Sequence, residues 1–164
     1  MRLSVTVIIL VGSVVSGCVT TSLPEAYTGP TATIHDSARS ESGTRAVLFF
    51  VSEIDGKQIE TSLARTRAAN YGRGFALAPM AIERKIPAKH TILKLEGQTA
   101  YGAPIQEIAM ASQMYNVTEI VEFDPKPDRR YVVQGILEEG KASVWLEDEL
   151  SHQRVGKIVR DRAK

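Results

Sequence analysis

Val117-Thr118-Glu119-Ile120-Val121-Glu122-Phe123, then Asp124-Pro125-Lys126-Pro127-Asp128, then Tyr131-Val132-Val133-Gln134-Gly135-Ile136-Leu137 is the stretch that decides the class of fold. Two segments of strand length, rich in β-branched and aromatic residues, flank a link whose prolines cannot donate to a sheet ladder. The same pattern returns after Glu139-Gly140 at residues 142–147, and after the polar break Ser151-His152-Gln153 at residues 155–159. Four strands joined by short, turn-rich links predict a β-meander. Parallel neighbours would need long crossovers, so these strands should run antiparallel.

Working toward the N-terminus, Ala46-Val47-Leu48-Phe49-Phe50-Val51 is a continuous apolar run that stops at Asp55-Gly56, a strong turn pair. It is too short for a buried helix and reads as a central buried strand. Residues 81–86 and 90–95 form two strand segments around Pro87-Ala88-Lys89, and Ala32-Thr33-Ile34-His35 alternates enough for a weak first strand. Between these lies the best helical stretch, residues 59–71, with Ile59, Leu63 and Thr66 on one face and Asn70 with Gly72 at its end. Residues 104–115 stay open between a helix, with Ile105, Ile108, Ala109 and Ser112 on one face, and an irregular strand. Asp36-Ser37-Ala38-Arg39-Ser40-Glu41-Ser42-Gly43 has no apolar period and reads as loop. The expectation is a mostly β chain, a single antiparallel β-sandwich of about seven strands with one possible short helix.

Bulk charge points to no partner class. The chain carries 20 Lys and Arg against 19 Asp and Glu, which offers nothing to a nucleic acid backbone. The charges are nevertheless segregated: eight bases face two acids between Lys57 and Lys94, whereas nine acids face four bases between Glu119 and Glu149. That makes a dipolar surface, or it cancels if the two segments pair as neighbours.

The N-terminus supplies an address. Met1-Arg2 is a short positive start, residues 3–15 are largely apolar, and Val15-Ser16-Gly17-Cys18 closes the run with small residues and the chain's one cysteine. The apolar stretch is shorter than the roughly 20 residues of a spanning helix and ends at a small-residue site, the layout of a secretory signal. Val15, Ser16, Gly17 and Cys18 each match a position of the lipobox of bacterial lipoproteins. That resemblance implies cleavage before Cys18 and attachment of palmitate-type acyl chains to it. Val19 is not the aspartate that favours retention at the inner membrane in enteric bacteria, so the periplasmic face of the outer membrane is the expected address. The domain plan is then a signal peptide at residues 1–17, a lipid-anchored flexible tether at residues 18–30 and a β-sandwich domain at residues 31–164.

Ile86-Pro87 through Leu95 resembles the strand-turn-strand piece of carboxypeptidase-regulatory-like and PEGA-type sandwiches, with Lys89 where a glycine is common. The chain from Cys18 through Ile54-Asp55-Gly56-Lys57 to Val144-Trp145-Leu146-Glu147-Asp148 resembles Gram-negative lipoproteins with a transthyretin-like sandwich. The resemblance implies a fold and a compartment without a reaction.

Chemistry-bearing clusters are sparse. His35, His90 and His152 are far apart, and only Asp148 with His152 approaches a ligand spacing, across a presumed turn; no metal and no cofactor is expected. The carboxylates at Glu138-Glu139 and Glu147-Asp148-Glu149 are neighbours on strands and point to opposite faces, so they do not flank one glycosidic bond. Candidate binding residues are Arg65, Arg67, Arg73 and Arg84, which fall in or near the least regular segment, and Trp145, a core anchor or a stacking platform. The leading expectation is a non-enzymatic envelope lipoprotein that binds an envelope protein or an anionic envelope polymer. A structural lipoprotein subunit of a secretion or transport assembly is the alternative, and a peptidoglycan or glycan hydrolase a third reading.

Overall fold

The computed structural model describes residues 20–21, 23–24 and 26–159; residues 1–17, expected to be a signal peptide, and Cys18 lie outside them. The elements in chain order are β1 (Thr20–Thr21), β2 (Thr31–His35), β3 (Ser37–Ser40), β4 (Arg45–Ile54), β5 (Lys57–Gln58), α1 (Ser62–Asn70), β6 (Glu83–Pro87) and β7 (Thr91–Tyr101). They continue with α2 (Pro104–Ala109), a 3-10 turn at Ala111–Gln113, β8 (Asn116–Phe123), β9 (Arg130–Glu138), β10 (Lys141–Asp148), β11 (Arg154–Val155) and β12 (Lys157–Ile158). Two sheets pack face to face, the first in the order β1-β6-β2-β9-β10-β11 and the second in the order β12-β8-β7-β4-β3, with β5 on β4. The chain is a mostly β, two-sheet sandwich, as its alternation indicates.

β4 explains its own continuous apolar run. Val47, Phe49 and Val51 face the core between the sheets, and Ala46, Leu48 and Phe50 face a second core beneath α1, with Leu63 and Leu77. A strand covered on both faces has no polar side to show. Phe49 is the keystone of the inner core: a Cβ on Gly97 in the facing strand, or on Gly135 in the opposite sheet, would collide with its ring.

Two expectations need correction. The segment from residue 117 onward is not one meander. β8 pairs with β7 in the second sheet, β9 pairs with β10 in the first, and β12 returns to β8. The proline link at residues 124–129 carries the chain between sheets, which a short rigid link does as readily as it turns a hairpin. Nor is every pair antiparallel: β2 runs parallel to β9, and β1 parallel to β6. The short-link argument binds only strands adjacent in sequence, and these are not.

The tract at residues 36–43 also departs from a plain loop. Asp36 is buried, and β3 pairs antiparallel with β4 along Ser37–Ser40. The tether is held too, because Thr20 and Thr21 lie opposite Arg84 and Lys85 on β6.

α1 forms where expected and is capped by Thr61, whose hydroxyl accepts from the Ala64 N–H at 3.1 Å. Its buried face carries Ser62, Thr66 and Asn70 beside Leu63. These polar residues recur every fourth position and grip alternate residues of an extended segment running antiparallel to the helix. Asn70 donates to the Ala78 carbonyl at 2.8 Å and accepts from its N–H at 2.9 Å. Thr66 Oγ1 accepts from Met80 N at 2.8 Å, and Ser62 Oγ from Ile82 N at 3.0 Å. Four helical residues rise about 6.0 Å and two extended residues about 6.6 Å, so the ladder stays in register. Residues 104–115 resolve to the helix α2 and the 3-10 turn, with no residue of either buried.

Candidate functional site

The arginines singled out above do not form one surface. Arg84 is corrected outright: it is 1% exposed and faces inward with Ile82 and Ile86. Its Nη2 donates to Asp36 Oδ2 at 2.8 Å. Burial pushes the Asp36 carboxyl up from its ordinary value, against the pull of Arg84, and pushes the Arg84 guanidinium down. Arg84 is a structural cation and touches no ligand from solvent. Arg65 bonds Glu60 at 2.7 Å, and Arg67 bonds Glu107 at 2.9 Å. Neither partner belongs to the acidic strands between Glu119 and Glu149, so that proposed cancellation is not how these two are neutralised. Arg73 is exposed in the loop between Gly72 and Gly74, both at positive φ, and has no side-chain partner among the described residues.

Trp145 points away from the core, since Val144 and Leu146 on either side are buried. It is half-buried, and its ring is covered by the Arg154 guanidinium at 3.8 Å from the centroid. Its Nε1 donates to Glu147 at 3.2 Å. The chain's own cation already occupies one face of this stacking platform.

A cavity of about 520 Å³ opens at the end of the sandwich where β7 begins and β8 and β10 end. Its charged lining is His90, Glu122, Asp124, Lys126, Arg129, Asp148 and Lys157. Asp124, Lys126 and Arg129 share the link at residues 124–129, and the others come from the turn before β7 and from β8, β10 and β12, so no one local motif announces the set. Asp148 fixes one wall: its Oδ1 accepts from Leu150 N at 3.1 Å, Ser151 N at 2.9 Å and Ser151 Oγ at 3.0 Å. Its other oxygen takes Arg129 Nη2 at 3.0 Å. Those donors, the Ser151 N–H foremost, hold the Asp148 carboxyl below its usual value. Opposite, His90 Nδ1 lies 3.0 Å from Asp124. Tyr131 Oη accepts from the Lys126 N–H at 3.0 Å and anchors the proline link.

The ammonium groups of Lys126 and Lys157 have no side-chain partner among the described residues. The cleft thus presents two cations without an ion pair, Lys157 in register with Glu122 across β12 and β8, beside Asp148 and Asp124, which are engaged. Ser151 Oγ donates to Asp148 Oδ1 at 3.0 Å, and His90 pairs with Asp124. Among the described residues no three His, Cys, Asp or Glu side chains converge as metal ligands. The chemistry this geometry offers is the holding of an anionic or mixed polar group. No protein-family model, no curated protein and no solved structure matches the chain.

Proposed function

We propose that this protein is a non-enzymatic lipoprotein of the cell envelope, anchored through Cys18 to the periplasmic face of the outer membrane, whose sandwich binds an anionic envelope polymer. The anchor rests on Val15-Ser16-Gly17-Cys18. One observation carries the binding role: the end cleft in which Lys126 and Lys157 stand unpaired beside a wall held by Asp148. Carboxylate and phosphate groups are the anions such a cleft takes. The test is co-sedimentation of the lipidated, detergent-solubilised protein with purified peptidoglycan sacculi. Lys126→Glu with Lys157→Glu removes two attractions and adds two repulsions, each of up to about 1 kcal/mol at a solvated site, and should weaken binding more than tenfold. Binding should also fall as salt rises past physiological strength, where the screening length is about 8 Å. Binding unchanged by the double reversal would remove the cleft from the reading.

A further inference from the structure

The sandwich leaves an apolar flank uncovered. Tyr71 is 92% exposed, Phe75 57%, Ile105 61% and Ile108 73%, with Met80 and Met110 also open. Tyr71 and Pro104 both line one groove of about 330 Å³, and the Phe75 carbonyl lies where a Cβ on Gly102 would sit, so the loop after α1 and the start of α2 form one surface. Contiguous exposed apolar patches on single domains mark contacts.

What covers this flank follows from where the chain enters. β1 runs parallel to β6, with Thr20 opposite Arg84. The segment leading into β6 lies along α1, Ala78 at Asn70 and Ile82 at Ser62. β1 therefore starts on the side of β6 that leads back to Met80 and to the end of α1 at Tyr71. Only Val19 separates Thr20 from Cys18, a span of about 7 Å at full extension. A lipid on Cys18 would hold this flank against the bilayer, with no long tether between. The charges agree: Arg73, between Tyr71 and Phe75, is exposed and has no side-chain partner among the described residues, Lys85, beside Thr21, is exposed near Glu83, and Glu107 is engaged by Arg67. Aromatic, methionine and isoleucine side chains interleaved with cations suit the interface of an anionic membrane. The acidic pair Glu138-Glu139 sits at the end of β9, a strand three positions from β1, or about 14 Å across the sheet. The cleft of the proposed function is at the opposite end of β4's sheet, clear of this surface.

We propose that the flank formed by Tyr71, Arg73, Phe75, Met80, Ile105 and Ile108 is a second membrane contact, seated in the interface of the bilayer that carries the Cys18 lipid. It rests on the anchoring reading for the choice of occupant and goes beyond it by assigning a surface. The experiment places a nitroxide on Ile108→Cys, and separately on Lys89→Cys at the cleft end, in the full chain reconstituted in phosphatidylethanolamine–phosphatidylglycerol vesicles. The label at position 108 should show an oxygen-to-nickel-chelate collision ratio several-fold above that at position 89, and the excess should vanish when Tyr71→Asp and Ile105→Asp are added. Equal aqueous ratios would overturn the proposal. So would a label shielded from both quenchers in a concentration-dependent way, which marks a second copy as the occupant. Intact mass of the same sample reports the anchor separately: an immersed label on a chain with unmodified Cys18 overturns the lipid and leaves the surface.

Discussion

Arg84 Nη2 and Asp36 Oδ2 lie 2.8 Å apart with both side chains at most 1% exposed, and around them four pieces of the chain meet. Arg84 belongs to β6 of the first sheet, and Asp36 to the corner between β2 and β3. Asp36 Oδ1 accepts from Val51 N of β4 at 3.1 Å, and Asp36 Oδ2 takes the Ser62 hydroxyl of α1 at 2.5 Å. Removing one partner strands the other charge in the core. Arg84→Met is expected to cost about 3–5 kcal/mol, read as a fall in the urea midpoint at unchanged slope. The exposed Arg73→Met should stay within about 0.5 kcal/mol of the parent. Equal stability of the two variants would place Arg84 outside the core.

How much of this was readable in the sequence depends on the reach of each signal. β4 was readable because a strand buried on both faces must be apolar throughout, and α1 because Asn70 and Gly72 end it. The inward position of Arg84 was also open to reading: Ile82, Arg84 and Ile86 alternate on one face, a period of two that outranks the charge of a single residue. Asp36 was not, since its burial depends on a guanidinium distant in sequence. The polar face of α1 resists detection for the same reason, as Ser62, Thr66 and Asn70 look like solvent contacts until residues 78–82 are laid beside them. The cleft is assembled from one link, one turn and the ends of three strands that no spacing rule joins, and the switch of sheet at residues 124–129 looks like a hairpin from within.

The contact of Phe49 with Gly135 gives a second expected outcome. Gly135 lies on β9 opposite Val144, and its missing side chain makes room for the Phe49 ring across the core. A methyl group there also meets the Ser143 carbonyl, part of the backbone of β10, which cannot swing aside. Gly135→Ala should destabilise by about 1–3 kcal/mol as overpacking, with Phe49→Leu partly restoring the loss in the double variant. Thermal unfolding of the two single variants and the double variant measures the coupling; strict additivity would show that the ring and the glycine do not meet.

The wall of the cleft should respond to acid. The Asp148 carboxyl is held below its ordinary value by the Ser151 N–H and hydroxyl, the Leu150 N–H and Arg129. A carboxyl depressed in the folded state stabilises it above the unfolded value, near 3.9, and that contribution disappears as pH falls through the lower folded value. The turn at residues 148–153 is therefore fully held at neutral pH and loosens only below about pH 4. Base-corrected amide exchange at Leu150 and Ser151 should rise there ahead of exchange in β4, whose amides sit in a ladder without such a carboxyl. Asp148→Asn should bring the looser turn to pH 7 and remove the acid step. Because the same turn forms one wall of the cleft, that variant should also weaken the sacculus binding expected of Lys126 and Lys157, although neither lysine has changed. A turn equally protected in Asp148→Asn and the parent would mean that the wall is held by its backbone alone.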